Sequence, residues 1–163
     1  MELNWISKLN KREKQAIGAL AVKLFCDKYF IEDHKITELL NHLLLLLKSS
    51  NLMEWEEKGF EIAITGRGDE LPNDLINKIP KELFKDFYKL IDRVIEIGIV
   101  DLYGDDTEFP DKFLISSINI LKSHNILLKI PNEILSNRGL ESTTSWGRPL
   151  EENRYKLYRD LIM

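Results

Sequence analysis

Five consecutive leucines, Leu43 to Leu47, lie within "HKITELLNHLLLLLKSSN" and restrict this chain's fold more than any other feature. Ile36, Leu39, Leu40, Leu43, Leu44 and Leu47 recur at three- and four-residue spacing, the period of one helix face. The leucine run adds apolar side chains nearly all round that helix. Such a helix needs cover on several sides, so it is expected near the centre of a helical assembly. Lys48 in the last turn and Ser49-Ser50-Asn51 beyond it mark its end.

Other segments can supply the cover. Ile17, Leu20, Ala21, Leu24 and Phe25 share one face of a helix predicted from about Lys11 to Tyr29. "PKELFKDFYKLIDRVIEIG" opens at Pro80 and turns Leu83, Phe84, Phe87, Leu90, Ile91, Val94 and Ile95 inward, with Gly98 as its predicted C-cap. "PDKFLISSINILKSHN" begins at Pro110 and carries Phe113, Leu114, Ile118 and Leu121, with Asn125 as terminator. A fifth helix is predicted from Pro149, with Leu150, Tyr155, Leu157, Tyr158 and Leu161. Its Glu151 and Glu152 suit the positive end of the helix dipole.

The predicted fold class is mainly α: a multi-helix bundle or helical-hairpin stack of about five main helices, in a single domain over residues 1–163. "FEIAIT" (60–65) and "GIVDLYG" (98–104) read either as a short two-stranded ribbon or as extended connectors. "PNDLINKI" (72–79) reads as a short helix, and "LSNRGLESTTSWGRP" (135–149) as the most loop-like stretch.

Apolar residues make up 44% and charged residues 31%, a balance that excludes a disordered chain. No apolar run approaches the roughly 20 residues needed to cross a bilayer. The opening "MELNWISKLNKREK" lacks the apolar core of a signal peptide, and there is one cysteine, Cys26, on an apolar stretch. These features predict a cytoplasmic location, with Cys26 as a small buried hydrophobe.

The net charge of −4 hides a contrast. Residues 51–111 hold 16 Asp+Glu against 7 Lys+Arg, whereas both flanking parts are slightly basic. The acidic excess includes Glu54, Glu56, Glu57 and Glu61 of "MEWEEKGFE", and Asp101, Asp105, Asp106, Glu108 and Asp111 of "DLYGDDTEFPD". The second run also carries Tyr103 and Phe109. Carboxylates at a rim attract a basic partner, and aromatic rings anchor interfaces. The competing reading is an acidic loop that serves only solubility.

Motifs for chemistry are absent or incomplete. An EF-hand starting at Asp101 fails, because Tyr103 falls at position 3 and Lys112 at position 12. His34, His42 and His124 have no metal-ligand spacing, so no metal or cofactor is expected. His42 reads as a packed helix residue. "TGRGDELP" (65–72) contains Arg67-Gly68-Asp69 but lacks the phosphate-loop spacing. It reads as a tight turn in which Gly66 and Gly68 take positive φ. The acidic balance argues against nucleic acid. "KLNKREK" (8–14) is the densest positive patch and reads as a solvated helix start.

"WEEKGFEIAITGRGDELP" and "KLIDRVIEIGIVDLYGDD" carry a resemblance of type. An acidic, mainly helical chain of this kind resembles bacterial immunity proteins of polymorphic toxin and contact-dependent growth inhibition systems. The resemblance implies a protein without catalytic activity that neutralises a cognate toxin domain, often a basic nuclease, by occluding its active site. It implies that Asp105, Asp106 and Glu108 stand in for substrate phosphates and that Tyr103 or Trp55 anchors the contact. Asp101, Phe109, Glu56 and Glu57 complete the expected face. Two alternatives stay open. One is a helical adaptor that self-associates through the exposed side of the leucine helix. The other is a small enzyme using Asp105 and Glu108 as a carboxylate pair.

Overall fold

A computed structural model describes residues 3–136 and 145–163. The chain is mainly helical. Its α-helices are α1 (Lys11–Tyr29), α2 (His34–Leu45), α3 (Leu52–Gly59), α4 (Asn73–Ile76), α5 (Lys81–Ile99), α6 (Phe109–Ser123), α7 (Asn132–Leu135) and α8 (Glu152–Ile162), preceded by a 3-10 turn at Ile6–Lys8. The helices expected from periodicity correspond to α1, α2, α5, α6 and α8. Eight α-helices are present among the described residues rather than about five main ones: the short helix expected in "PNDLINKI" is α4, while α3 and the one-turn α7 are too short for periodicity to define.

α1 packs against α5, α6, α2 and α8, and α5 lies against α6. Small side chains let α1 approach so many neighbours. Ala16, Ala19 and Ala21 are fully buried, and a Cβ on Gly18 would lie 2.9 Å from Ile97 Cδ1. The leucine run behaves as predicted in burial: Leu43, Leu44, Leu46 and Leu47 are buried and only Leu45 faces outward. That leaves little of the exposed leucine face on which self-association was to rest. The helix stops at Leu45, and Leu46 and Leu47 continue inward in a turn.

The ends of the helices are chemically defined. Asn10 caps α1 reciprocally: its Oδ1 accepts from Glu13 N–H at 2.9 Å, and Glu13 Oε1 accepts from Asn10 N–H at 3.1 Å. Asp33 and Asn51 cap α2 and α3 through their side chains. Asn125 terminates α6 at φ 55°, and Ile126 N–H donates back to the Leu121 carbonyl at 2.9 Å.

Four expectations need correction. First, residues 60–65 and 98–104 do not form a ribbon. Phe60 and Glu61 turn out of α3, residues 98–99 finish α5 and 100–103 continue as turn, and there is no strand among the described residues. Second, Gly98 is not a C-cap. It lies inside α5, where a Cβ would come within 2.8 Å of Trp55 Cη2 and would also strike Gln15, so glycine is there for space. Third, "KLNKREK" is no solvated helix start. Lys11, Arg12 and Glu13 are all buried, as are Asn10 and Gln15. Fourth, Leu157 of α8 is exposed; Tyr155 and Tyr158 face the core as expected, joined by Ile162. The loop expected over 135–149 falls largely outside the described residues.

The buried start of α1 ties the helices together. Arg12 Nη1 donates to the carbonyls of Leu46 at 2.5 Å and Ser49 at 2.7 Å, serving the C-cap of α2 and the segment that follows it. Gln15 Nε2 donates to the Val94 carbonyl of α5 at 2.8 Å. Tyr158 of α8 donates to Glu13 Oε2 at 3.0 Å. Lys11 reaches the loop after α5, which belongs to the site described next.

Candidate functional site

The two acidic runs meet on one face through Glu56 and Tyr103, 47 residues apart in sequence. α3 presents Glu56 and Glu57, the α5–α6 loop presents Tyr103, Asp105 and Asp106, and the turn after α3 adds Phe60 and Arg67. The junction is specific. Tyr103 Oη donates to Glu56 Oε2, and Arg67 Nη2 donates to the other oxygen, Glu56 Oε1, at 2.8 Å. The Arg67 guanidinium carbon lies 4.1 Å from the centre of the Phe60 ring. Tyr103 is 70% and Phe60 57% exposed, so two aromatic rings stand in water on either side of this ion pair. The hydrogen bond to Glu56, with burial and the charges of Glu56 and Glu57 adding to it, holds the Tyr103 phenol above its ordinary pKa.

The α5–α6 loop owes its shape to Asp101. This carboxylate is buried at 3% exposure and accepts from Thr107 N–H at 2.9 Å and Thr107 Oγ1 at 2.6 Å. Lys11 Nζ lies 2.9 Å from Asp101 Oδ2 and 2.5 Å from Asp106 Oδ1. Burial pushes the Asp101 carboxyl upward; the bonds from Thr107 and Lys11 outweigh that and hold it below the usual carboxylate range. Asp106 also accepts from Ser145 Oγ. Its carboxyl is likewise held low, chiefly by the bond from Lys11.

These positions sort the expected face residues into two groups. Tyr103, Asp105, Glu57, Glu108 and Phe109 lie in the open. Glu108 pairs with Lys112 at 2.6 Å, and Phe109 stacks on Phe113 with ring centres 6.0 Å apart. Glu56 belongs to the face but is largely covered, its oxygens taken by Tyr103 and Arg67. Asp106 is exposed yet anchored to Lys11. Asp101 must be withdrawn, because it is buried and saturated within the loop. Trp55 must be withdrawn as a surface anchor as well. It is 4% exposed, its Nε1–H donates to the His42 carbonyl at 2.8 Å, and its ring stacks on His42.

Sequence reasoning did not select Phe60 or Arg67. In "FEIAIT" the phenylalanine is indistinguishable from a core residue, and Arg67 looks like one cation in a turn. A signal existed for the turn itself. Gly66, Arg67 and Gly68 all take positive φ, at 67°, 57° and 81°, and Asp69 N–H closes the turn on the Gly66 carbonyl at 2.9 Å. The expected pair of glycines is there, with a non-glycine residue held left-handed between them. Within the turn, Asp69 Oδ2 accepts from Thr65 Oγ1 at 2.6 Å.

Glu96 of α5 is pushed above the ordinary carboxylate range, first by burial and then by Asp92, against the opposing pull of Arg67 and Arg93. Among the described residues there is no cluster of His, Cys, Asp and Glu able to hold a metal ion. No helix is long and apolar enough to cross a membrane. Burial pushes the Cys26 thiol up to about 12, in keeping with a packed side chain and not a nucleophile. His124 joins three helices, accepting or donating to Tyr29 Oη at 2.6 Å through Nδ1 and to Asp86 Oδ2 at 2.8 Å through Nε2.

Comparison with protein-family models, with curated proteins and with solved structures found no match. The class this geometry defines is a mainly helical protein bearing a mixed aromatic and acidic face.

Proposed function

We propose that this chain is a non-catalytic protein-binding protein, and that its partner docks where α3, the turn at 60–69 and the α5–α6 loop meet. The observation that carries the reading is the Tyr103–Glu56 contact, which brings both acidic runs and two exposed aromatic rings onto one surface. Aromatic anchors with a charged rim are the composition of a protein interface. The acidic rim favours a basic partner. Taken with the resemblance to bacterial immunity proteins, the partner is a cognate toxin domain whose basic active site this face covers in the cytoplasm. Asp105, Glu57 and Glu108 offer the carboxylates, and Tyr103 offers the anchor.

The test is capture of partners from the native host at low and moderate salt, using the wild type and Asp105→Lys with Glu57→Lys in parallel. Asp106 is left intact because it braces the loop through Lys11. A stoichiometric basic partner, held by the wild type, lost by the variant and released as salt rises, is the expected result. A partner held equally by both proteins, or recovery of the chain alone, overturns the reading.

A further inference from the structure

The face already contains a bound guanidinium, and it belongs to the chain itself. The Arg67 guanidinium carbon lies over the Phe60 ring, 4.1 Å from its centre, and Arg67 donates to Glu56 at 2.8 Å. Three features separate this contact from an ordinary surface ion pair. The guanidinium is under-used: of its five N–H donors, only one, on Nη2, has a partner among the described residues. The Glu56 carboxylate is pre-aimed, because the Tyr103 hydroxyl holds its second oxygen. The turn that delivers Arg67 holds a non-glycine residue at positive φ between two left-handed glycines, a conformation that costs free energy.

We propose that Phe60, Glu56 and Tyr103 form a socket for an arginine of the partner protein, and that Arg67 is a removable plug in it. This deepens the reading of the face and rests on it. When the partner's arginine enters, Arg67 leaves with its turn. The incoming group takes the Phe60 ring face and the Glu56 oxygen, and Tyr103 closes over it from the far side. Gly68, which has open space around it, lets the turn open on that side of Arg67, while Gly66 stays packed against Ile95. Arginine is favoured over lysine because only a planar guanidinium can both stack on the ring and fork to a carboxylate.

The socket can be tested without the partner. A tethered side chain weakens binding of a free arginine by one plus the ratio of plugged to open socket, so a plug seated about nine-tenths of the time gives roughly a tenfold gain on its removal. The probe is the peptide acetyl-Gly-Arg-Gly-amide, titrated at constant ionic strength and followed by amide NMR shifts. Arg67→Gly should show saturable shifts centred on residues 56, 60 and 103. The wild type should bind about tenfold more weakly or worse, the matching lysine peptide should bind less well, and Arg67→Gly with Glu56→Gln should not respond. Arg67→Gln keeps the side-chain stem and loses the charge, and it must behave like Arg67→Gly; the unchanged remainder of either spectrum reports that the fold is intact. Equal responses from wild type and both variants, or shifts scattered away from these three residues, overturn the socket. Either result leaves the docking face to be judged separately by the Asp105→Lys with Glu57→Lys capture.

Discussion

The Trp55 indole lies parallel to the His42 imidazole, with ring centres 4.8 Å apart and planes inclined by 4°. This stack joins α3 to α2 directly beneath the face that carries Glu56 and Arg67. His42 is buried there, and its Nε2 points at Gly59, where a Cβ would come within 2.9 Å. Burial, with Arg67 and Lys58 nearby, pushes the His42 pKa down to about 4.

A pH dependence of stability follows from that environment. A histidine in an unfolded chain titrates near pH ~6.5. Between that value and about 4 the unfolded chain binds the proton and the folded one does not. Stability therefore rises with pH through this window and is complete above it. On acidification from pH 7 to pH 4.5 the contribution lost is about 2 kcal/mol. Urea unfolding at both pH values should show that loss in the wild type and not in His42→Gln. Equal losses in the two proteins would mean that other groups set the acid sensitivity.

Lys11→Met leaves Asp101 buried with only Thr107 to satisfy it. Breaking a buried pair in this way should cost about 3 kcal/mol. The exposed pair Lys112–Glu108 is the internal comparison, and Lys112→Met should change stability by less than about 1 kcal/mol. Denaturant midpoints with unchanged slopes would report both numbers.

Gly66 and Gly68 differ in a way that mutation can read. Both have positive φ, but a Cβ on Gly66 would approach Ile95 Cδ1 within 2.7 Å, whereas Gly68 has nothing within 4 Å. Gly68→Ala should cost about 1 kcal/mol for the backbone alone. Gly66→Ala adds overpacking and should cost about 3 kcal/mol. A reversed order in thermal melts would show that the turn is not held as described.

Tyr103→Ala separates binding from folding. The ring is mostly in water, so unfolding free energy should move by less than about 0.5 kcal/mol. If Tyr103 is the anchor, partner affinity should fall by about 2 kcal/mol, roughly 30-fold in Kd. Calorimetry with the captured partner gives the second value. Asp101→Asn should show the opposite pattern, with a loss of stability, because its carboxylate shapes the loop from inside.

Much of the fold was legible because helices announce themselves locally. The spacing of Ile17, Leu20, Ala21 and Phe25, the leucine run and the stripe from Leu83 to Ile95 each state a helix and its buried face without reference to anything distant. Asn125 at the end of α6 and the glycines around Arg67 are local for the same reason: they answer to backbone angles. The acidic runs were visible as charge, but the sequence could not say which carboxylates faced water. Asp101 and Asp105 look alike on paper. One meets Lys11 and Thr107 in the interior, and the other meets solvent.

Sequence alone determined that this chain is mainly helical, that its run of leucines turns largely inward, and that its negative charge concentrates in the middle third. Those properties follow from residue type and short-range periodicity. Tertiary structure alone decided that Lys11, Arg12 and Glu13 go inside, that Trp55 is core, that Gly98 makes room for Trp55, and that Glu56, Phe60, Arg67 and Tyr103 converge. A polar side chain is buried only where the fold supplies its partner, and those partners come from helix ends and loops far away in sequence.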